Sequence, residues 1–252
     1  MKPNPQSRLS LFCFPYAGAG ASVFREWSSA LPAEIEVIPV QYPGRENRVR
    51  EPLINRLGPL VETLLEDLSD LTKPFAFFGH SMGALVSYEI ARKLRDEGKP
   101  GPVNLFVSGR RAPDRIDGNP PLHQLDDEAL IKTLRELNDT PEAVFQYPEL
   151  IDFWLKILRA DLETCEMYEY PNATPLTCPI TAFGGLDDPH VSRAEVAAWK
   201  NHTQSEFSLH MLPGGHFFLK HAREKLLNTI LSELNRASYK GGLFGSDRFL
   251  VV

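Results

Sequence analysis

Strand-like and helix-like patterns alternate along this chain, and that alternation constrains the fold more than any other feature. Short apolar or β-rich runs lie at Leu9–Phe14, Ile35–Val40, Phe75–Phe78, Asn104–Ser108, Ile180–Phe183 and Phe207–Leu212, each bounded by Pro, Gly or charged residues. Between them Leu57, Leu60, Val61, Leu64, Leu65 and Leu68 repeat at helical i, i+3, i+4 spacing, and Met82–Asp96, Arg193–Thr203 and Lys220–Ala237 also read as helices. Continuous apolar runs suit strands buried on both faces, and strand–helix–strand order implies a mostly parallel sheet covered by helices on both sides, an α/β fold. The 252 residues suit one large domain, and 42% hydrophobic with 24% charged residues is enough to build a sizeable core and excludes disorder and fibre.

From Gly109 to Pro179 the order breaks. Helical patterns near Asp126–Leu137 and Tyr147–Leu162 appear there without a convincing strand. The stretch at about 110–178 therefore reads as a helical insertion within the single domain, either a cover over an active site or extra packing helices. Residues 239–252 run past the last helix pattern as a tail.

Other classes are excluded by charge and composition. A net charge of -6 without long like-charged blocks argues against a nucleic-acid binder. No apolar run is long enough to cross a bilayer and the amino terminus lacks a signal-type apolar stretch, so no membrane association and a cytoplasmic location are expected. Cys13, Cys165 and Cys178 are too few for a disulfide framework and form no CxxC pair, so neither a metal nor a redox site is expected.

The chemistry begins where the run Phe75–Phe78 enters Gly79-His80-Ser81-Met82-Gly83 and leaves as an amphipathic helix. That strand–turn–helix context is what a nucleophile elbow needs: Ser81 sits strained at the tip, and glycines two before and two after let strand and helix approach. A serine hydroxyl requires an imidazole to accept its proton, and the imidazole a carboxylate to orient it. Of the seven histidines, only His216 follows the last strand and precedes the last helix, in Pro213-Gly214-Gly215-His216-Phe217. After the fifth strand, Leu186-Asp187-Asp188-Pro189 offers two acids; Asp188, at the loop tip before a proline, is preferred and Asp187 is the alternative. An oxyanion site needs two amides. Met82 N–H supplies one, and the loop Pro15-Tyr16-Ala17-Gly18-Ala19-Gly20 the other, from Ala17 or, failing that, Gly18.

Taken together, FPYAGAGAS at 14–22, YPGRENRV with EPL at 42–53, KPFAFFGHSMG at 73–83, GGLDDPHVS at 184–192 and LPGGHFFL at 212–219 resemble the type II thioesterases. These are free-standing editing hydrolases of nonribosomal peptide and polyketide synthases. The medium-chain thioesterase of animal fatty acid synthesis is similar. The resemblance, from about Leu9 to Arg236, implies an α/β-hydrolase fold with a helical lid and hydrolysis of acyl groups from the phosphopantetheine arm of a carrier protein. It needs no metal or cofactor. It carries the triad onto Ser81, Asp188 and His216 and the oxyanion amides onto Ala17 and Met82, in a chain expected to act as a monomer. Where many members have Gly-Gly-Thr-Pro in the lid, this chain has Leu137-Asn138-Asp139-Thr140-Pro141.

Competing readings are a medium-chain acyl thioesterase, a general carboxylesterase, or a silent scaffold that binds acyl carriers. Arg45, Arg48, Arg50 and Arg56, with Arg110, Arg111 and Arg115, are candidates for docking an acidic carrier, or else pair internally with Glu46 and Glu51. Phe145, Tyr147, Phe153, Trp154 and Leu158 are candidates for lining an acyl pocket, or plain core.

Overall fold

The computed structural model describes residues 7–68, 71–115, 118, 120–136 and 148–241. Six strands form one sheet: β1 Leu9–Phe14, β2 Ile35–Pro39, β3 Phe75–His80, β4 Leu105–Ser108, β5 Ile180–Gly185 and β6 Phe207–Leu212. Their order is β2-β1-β3-β4-β5-β6, and every neighbouring pair is parallel. The expected α/β class is borne out, with each strand run placed within two residues. β3 is longer than its apolar run because Gly79 and His80 still pair with β4, at Val107 and Ser108, which carries the strand up to the nucleophile candidate.

The period-two alternation of side chains sorts the strands' apolar residues onto two faces. Phe12, Phe14, Phe75 and Phe77 face one way and pack with α2 (Leu57–Asp67) and α3 (Met82–Asp96). Leu9, Leu11, Cys13, Ala76 and Phe78 face the other way, onto α1 (Trp27–Ala30), α7 (Phe218–His221) and α8 (Arg223–Gly241). Buried aromatic and leucine side chains contribute about 1.5–3 kcal/mol each, so these two layers hold the sheet rigid beneath the loops at its carboxyl edge.

Between β4 and β5 the described residues hold α4 (Asp127–Glu136) and α5 (Pro148–Glu166) and no strand. The Asp126 carboxylate caps α4 by accepting the Ala129 amide at 2.8 Å, so the helix starts one residue later than its apolar pattern suggested. Leu130 and Leu134 of α4 pack on Leu155 and Leu158 of α5 in a separate apolar cluster, against which Ala17 of the post-β1 loop also rests.

Two expected helices are interrupted. Arg193–Thr203 divides into α6 (Arg193–Ala197), started by a Ser192–Glu195 capping box, and a 3-10 turn from Ala198 to His202. The last helix pattern divides into α7 and α8, and α8 runs to Gly241, beyond the tail boundary expected at 239. The lid departure at Leu137–Pro141, the candidates Phe145 and Tyr147, and the remainder of the tail lie outside the described residues. No described helix is long and apolar enough to cross a membrane.

Candidate active site

Strand order reverses between β1, whose next strand lies on one side, and β3, whose successors lie on the other. The crevice beyond the carboxyl ends of such strands is where open α/β sheets place ligands, and both candidate oxyanion segments open onto it. Ser81 sits there with φ 53° and ψ -113°, a positive φ for a residue that is not glycine. The strain is held by close packing on both sides. A Cβ on Gly79 would fall on the Gly83 carbonyl and 2.5 Å from the Ala84 nitrogen; one on Gly83 would fall on the Phe14 carbonyl oxygen and 2.6 Å from its carbon. The spacing of the two glycines thus follows from the approach of β3, α3 and β1. The Ser81 amide donates to the Ser108 carbonyl at 2.7 Å, anchoring the turn to β4.

Asp188 and His216 meet across the loops after β5 and β6. His216 Nδ1 and Asp188 Oδ2 are 2.8 Å apart, the carboxylate side chain is fully buried, and its other oxygen accepts the amides of His190 at 2.9 Å and Val191 at 3.2 Å. Burial alone would raise the Asp188 carboxyl; the His216 hydrogen bond and charge and the two amides outweigh it and hold the group below its ordinary value. Asp187 is exposed, and its amide donates to the Gly214 carbonyl. The loops can lie this close because Gly185 faces Gly214 and Gly215 without a side chain: a Cβ there would come 2.6 Å from the Gly214 carbonyl oxygen.

His216 lies beside the elbow in a cluster of tilted and edge-on rings. Its imidazole centroid is 5.2 Å from that of His80, the residue before Ser81, and Tyr16 of the post-β1 loop packs edge-on to His80 at 5.8 Å and to Phe217 at 4.9 Å. The segments carrying Ala17, Ser81 and His216 therefore converge. His80 itself is wholly buried, with Nδ1 2.9 Å from Ser108 Oγ. Burial, reinforced by the charges of His216 and Lys220, depresses its pKa well below the usual histidine value, so it stays neutral beside His216.

The amide of Met82 is the first of α3 and has no acceptor one turn back. Of the two candidates in the post-β1 loop, Gly18 is already engaged, its N–H donating to Asp161 Oδ2 at 2.7 Å. Among the described residues no such partner engages the Ala17 amide. Geometry thus favours Ala17 over Gly18. The 41–46 segment supports this loop: Tyr42 Oη donates to the Pro15 carbonyl at 3.1 Å, Gln41 Oε1 accepts the Ala21 amide at 3.0 Å, and Glu46 accepts the Ser22 hydroxyl at 2.5 Å.

Most of the arginine candidates have internal partners. Arg45 is buried in a two-bonded ion pair with Asp161, Arg48 pairs with Glu51 and Asp67, and Arg56 with Glu163. Arg111 pairs with Glu195 and donates to the His190 carbonyl. Glu46 takes Ser22 rather than an arginine. Phe153 is exposed, whereas Leu158 lies in the buried apolar cluster of α4 and α5 with Trp154 packed against it, and both abut Gly18. Asp161, Tyr16, Ser108 and Gln41 are site-supporting residues that the sequence reading missed.

Among the described residues no cluster of metal-ligating side chains occurs. A separate cleft of about 670 Å³ between β6 and α8, lined by His210, His221, Glu224 and Glu233, holds none of these groups.

The family model described as "Thioesterase domain" matches residues 9–234. The gramicidin S biosynthesis protein GrsT of Aneurinibacillus migulanus is 47% identical, over 92% of this chain and 91% of its own. Among solved structures, RedJ, a thioesterase from the prodiginine biosynthetic pathway in Streptomyces coelicolor, superposes with a TM-score of 0.86 at 42% identity, covering 90% of this chain and 91% of that one. The type II thioesterase BorB from the borrelidin biosynthetic cluster gives 0.82 at 37%, over 91% and 94%.

Proposed function

This chain belongs to the thioesterase family, and from that premise we propose that it is a type II editing thioesterase, clearing acyl or peptidyl groups from the phosphopantetheine arms of carrier proteins on a nonribosomal peptide or polyketide synthase. The relatives' pathways support the biological setting. The observations that support the chemistry are the strained Ser81 tip and the hydrogen-bonded His216–Asp188 pair, whose imidazole lies against His80, the residue before Ser81.

In the proposed reaction Ser81 Oγ attacks the thioester carbonyl carbon while His216 Nε2 accepts its proton. Asp188 keeps the other ring nitrogen protonated and pointed, and stabilises the imidazolium. The amides of Ala17 and Met82 take the developing oxyanion. Collapse breaks the carbon–sulfur bond, and His216 returns the proton to the departing pantetheine thiol. Water then attacks the acyl-Ser81 ester with His216 again as base, releasing the acid and restoring the hydroxyl. A thiol leaves readily, so moderate turnover suffices for clearing stalled carriers.

The test loads a holo carrier protein with an acyl group and follows its release by intact mass. Ser81→Ala should fold normally and lose at least about a thousandfold of kcat. Equal turnover by that variant would refute the assignment. Comparing acyl carrier, acyl-CoA and simple ester separates editing from general esterase activity, and absence of fluorophosphonate labelling would mark a silent scaffold.

A further inference from the structure

The groups that hold the loop of Ala17 come from the insertion. Gly18, at φ +76°, is gripped on both of its peptide groups: its N–H donates to Asp161 Oδ2 at 2.7 Å and its carbonyl accepts the Trp154 indole N–H at 3.0 Å. Trp154 and Asp161 stand two turns apart on one face of α5, with Leu158 between them. A Cβ on Gly18 would lie 3.1 Å from the indole nitrogen and 3.2 Å from a Leu158 methyl, so this helix face and the loop are in direct contact.

Asp161 is fully buried, and its carboxylate is completed by Arg45, at 2.5 and 2.8 Å. The same guanidinium donates to the Ala19 carbonyl at 3.3 Å. A buried ion pair is a weak device for stability alone. Here its further hydrogen bonds hold the loop: Asp161 takes the Gly18 N–H, and Arg45 donates to the Ala19 carbonyl one peptide further on and to the Pro43 carbonyl at 3.4 Å. Because a peptide unit is planar, fixing the Gly18 N–H also fixes the Ala17 carbonyl, leaving two dihedral angles at Ala17 between that plane and the one holding the Ala17 N–H.

We infer that Asp161, Trp154 and Arg45 are positioning residues for the oxyanion hole, so that helix α5 of the insertion and the Ala17 amide form one mechanical unit and hydrolysis requires α5 to be seated. This rests on the assignment of Ala17 and Met82 as the oxyanion amides. Displacing α5 withdraws two hydrogen bonds from Gly18 and lets the Ala17 amide turn away from the developing charge.

Two variants test it. Trp154→Phe removes one hydrogen bond while keeping an aromatic ring in place. Arg45→Met combined with Asp161→Leu replaces the buried pair by apolar side chains, a change that need not cost stability, while freeing the Gly18 amide. Steady-state kinetics on an acyl-loaded carrier and a small acyl thioester are read with melting temperature and affinity for a trifluoromethyl ketone, which forms a tetrahedral oxyanion on the serine. Both variants should lose at least about tenfold in kcat on both substrates, toward the ~10²–10³ lost when an oxyanion donor is removed. KM should stay within about twofold, and ketone affinity should fall in parallel with kcat/KM. Wild-type kcat in either folded variant, or a loss confined to KM, overturns the inference; if the double variant does not fold, Trp154→Phe decides. Wild-type protein inactive on every thioester, or an active Ser81→Ala, would instead sink the functional reading beneath it.

Discussion

Gly83→Ala puts one methyl group where the elbow, β1 and the oxyanion loop meet. An added Cβ would fall on the Phe14 carbonyl oxygen, 2.6 Å from its carbon and 2.8 Å from the Pro15 oxygen. Comfortable separations between carbon atoms begin near ~3.5 Å, so β1 and the start of α3 must part by roughly 1 Å. Both neighbours are backbone, which no side-chain rotation can move aside. Overpacking of this kind costs about 1–3 kcal/mol, or roughly 2–12 °C of melting temperature for a chain this long. The larger effect falls on catalysis, because the displacement separates the Met82 amide from the loop carrying Ala17. A misplacement of about 1 Å is worth ~10²-fold in rate. Gly58→Ala in α2 is the control, since a Cβ there meets nothing within 4 Å; it should be neutral or stabilising by up to about 1 kcal/mol. Thermal melts and acyl thioester hydrolysis on both variants decide the matter. A Gly83→Ala protein that melts and turns over like wild type would refute the steric account of the elbow.

Asp188→Asn should reduce kcat by about 10³–10⁴-fold through loss of the correct imidazole tautomer, measured by thioester hydrolysis. Because the folded Asp188 carboxyl lies below its ordinary value of about 3.9, its ionised form stabilises the fold above that pH and the benefit disappears as pH falls through the folded value. Denaturant melts should therefore show wild type and Asp188→Asn converging in stability below about pH 4. His80 acts in the same direction but at higher pH: below about pH 6.5 the unfolded state takes up a proton that the buried folded ring refuses, so stability falls with falling pH. Replacing it with Gln should flatten that dependence by roughly 1 kcal/mol per pH unit just below 6.5. Arg56→Ala breaks only the exposed pair with Glu163 and should change stability by less than about 1 kcal/mol, checked by thermal melts.

Local signals carried most of the fold, the strained turn at Ser81 and the pairing of Asp188 with His216. The strand runs were readable because a doubly covered parallel sheet makes them continuously apolar, and Gly79 and Gly83 marked the elbow because only a missing Cβ permits that approach. Asp188 and His216 could be chosen by chain order and by the turn residues around them. What was not legible depends on contacts distant in sequence. Asp161 reaches Gly18 across 143 positions, and no spacing rule connects a helix in the insertion to a loop after the first strand. One signal was present: a carboxylate among Leu155, Ile157, Leu158 and Ala160, on a face otherwise committed to burial, requires a partner. Arg45 and Arg48 looked like a docking patch because charge counted along the sequence does not reveal which side chains point inward. The division of the last helix at Ala222 likewise has no counterpart in the apolar pattern.

The most direct test of the central claim is to mix the protein with acyl-loaded carrier, quench in acid within the first turnovers and locate the acyl group by mass spectrometry. The account predicts a transient acyl ester on Ser81, formed as the carrier thiol is freed, and accumulating when His216 is replaced by a residue too weak to activate water but still able to permit slow acylation. Hydrolysis at the wild-type rate with no acyl-enzyme, or with the acyl group on another residue, would contradict it.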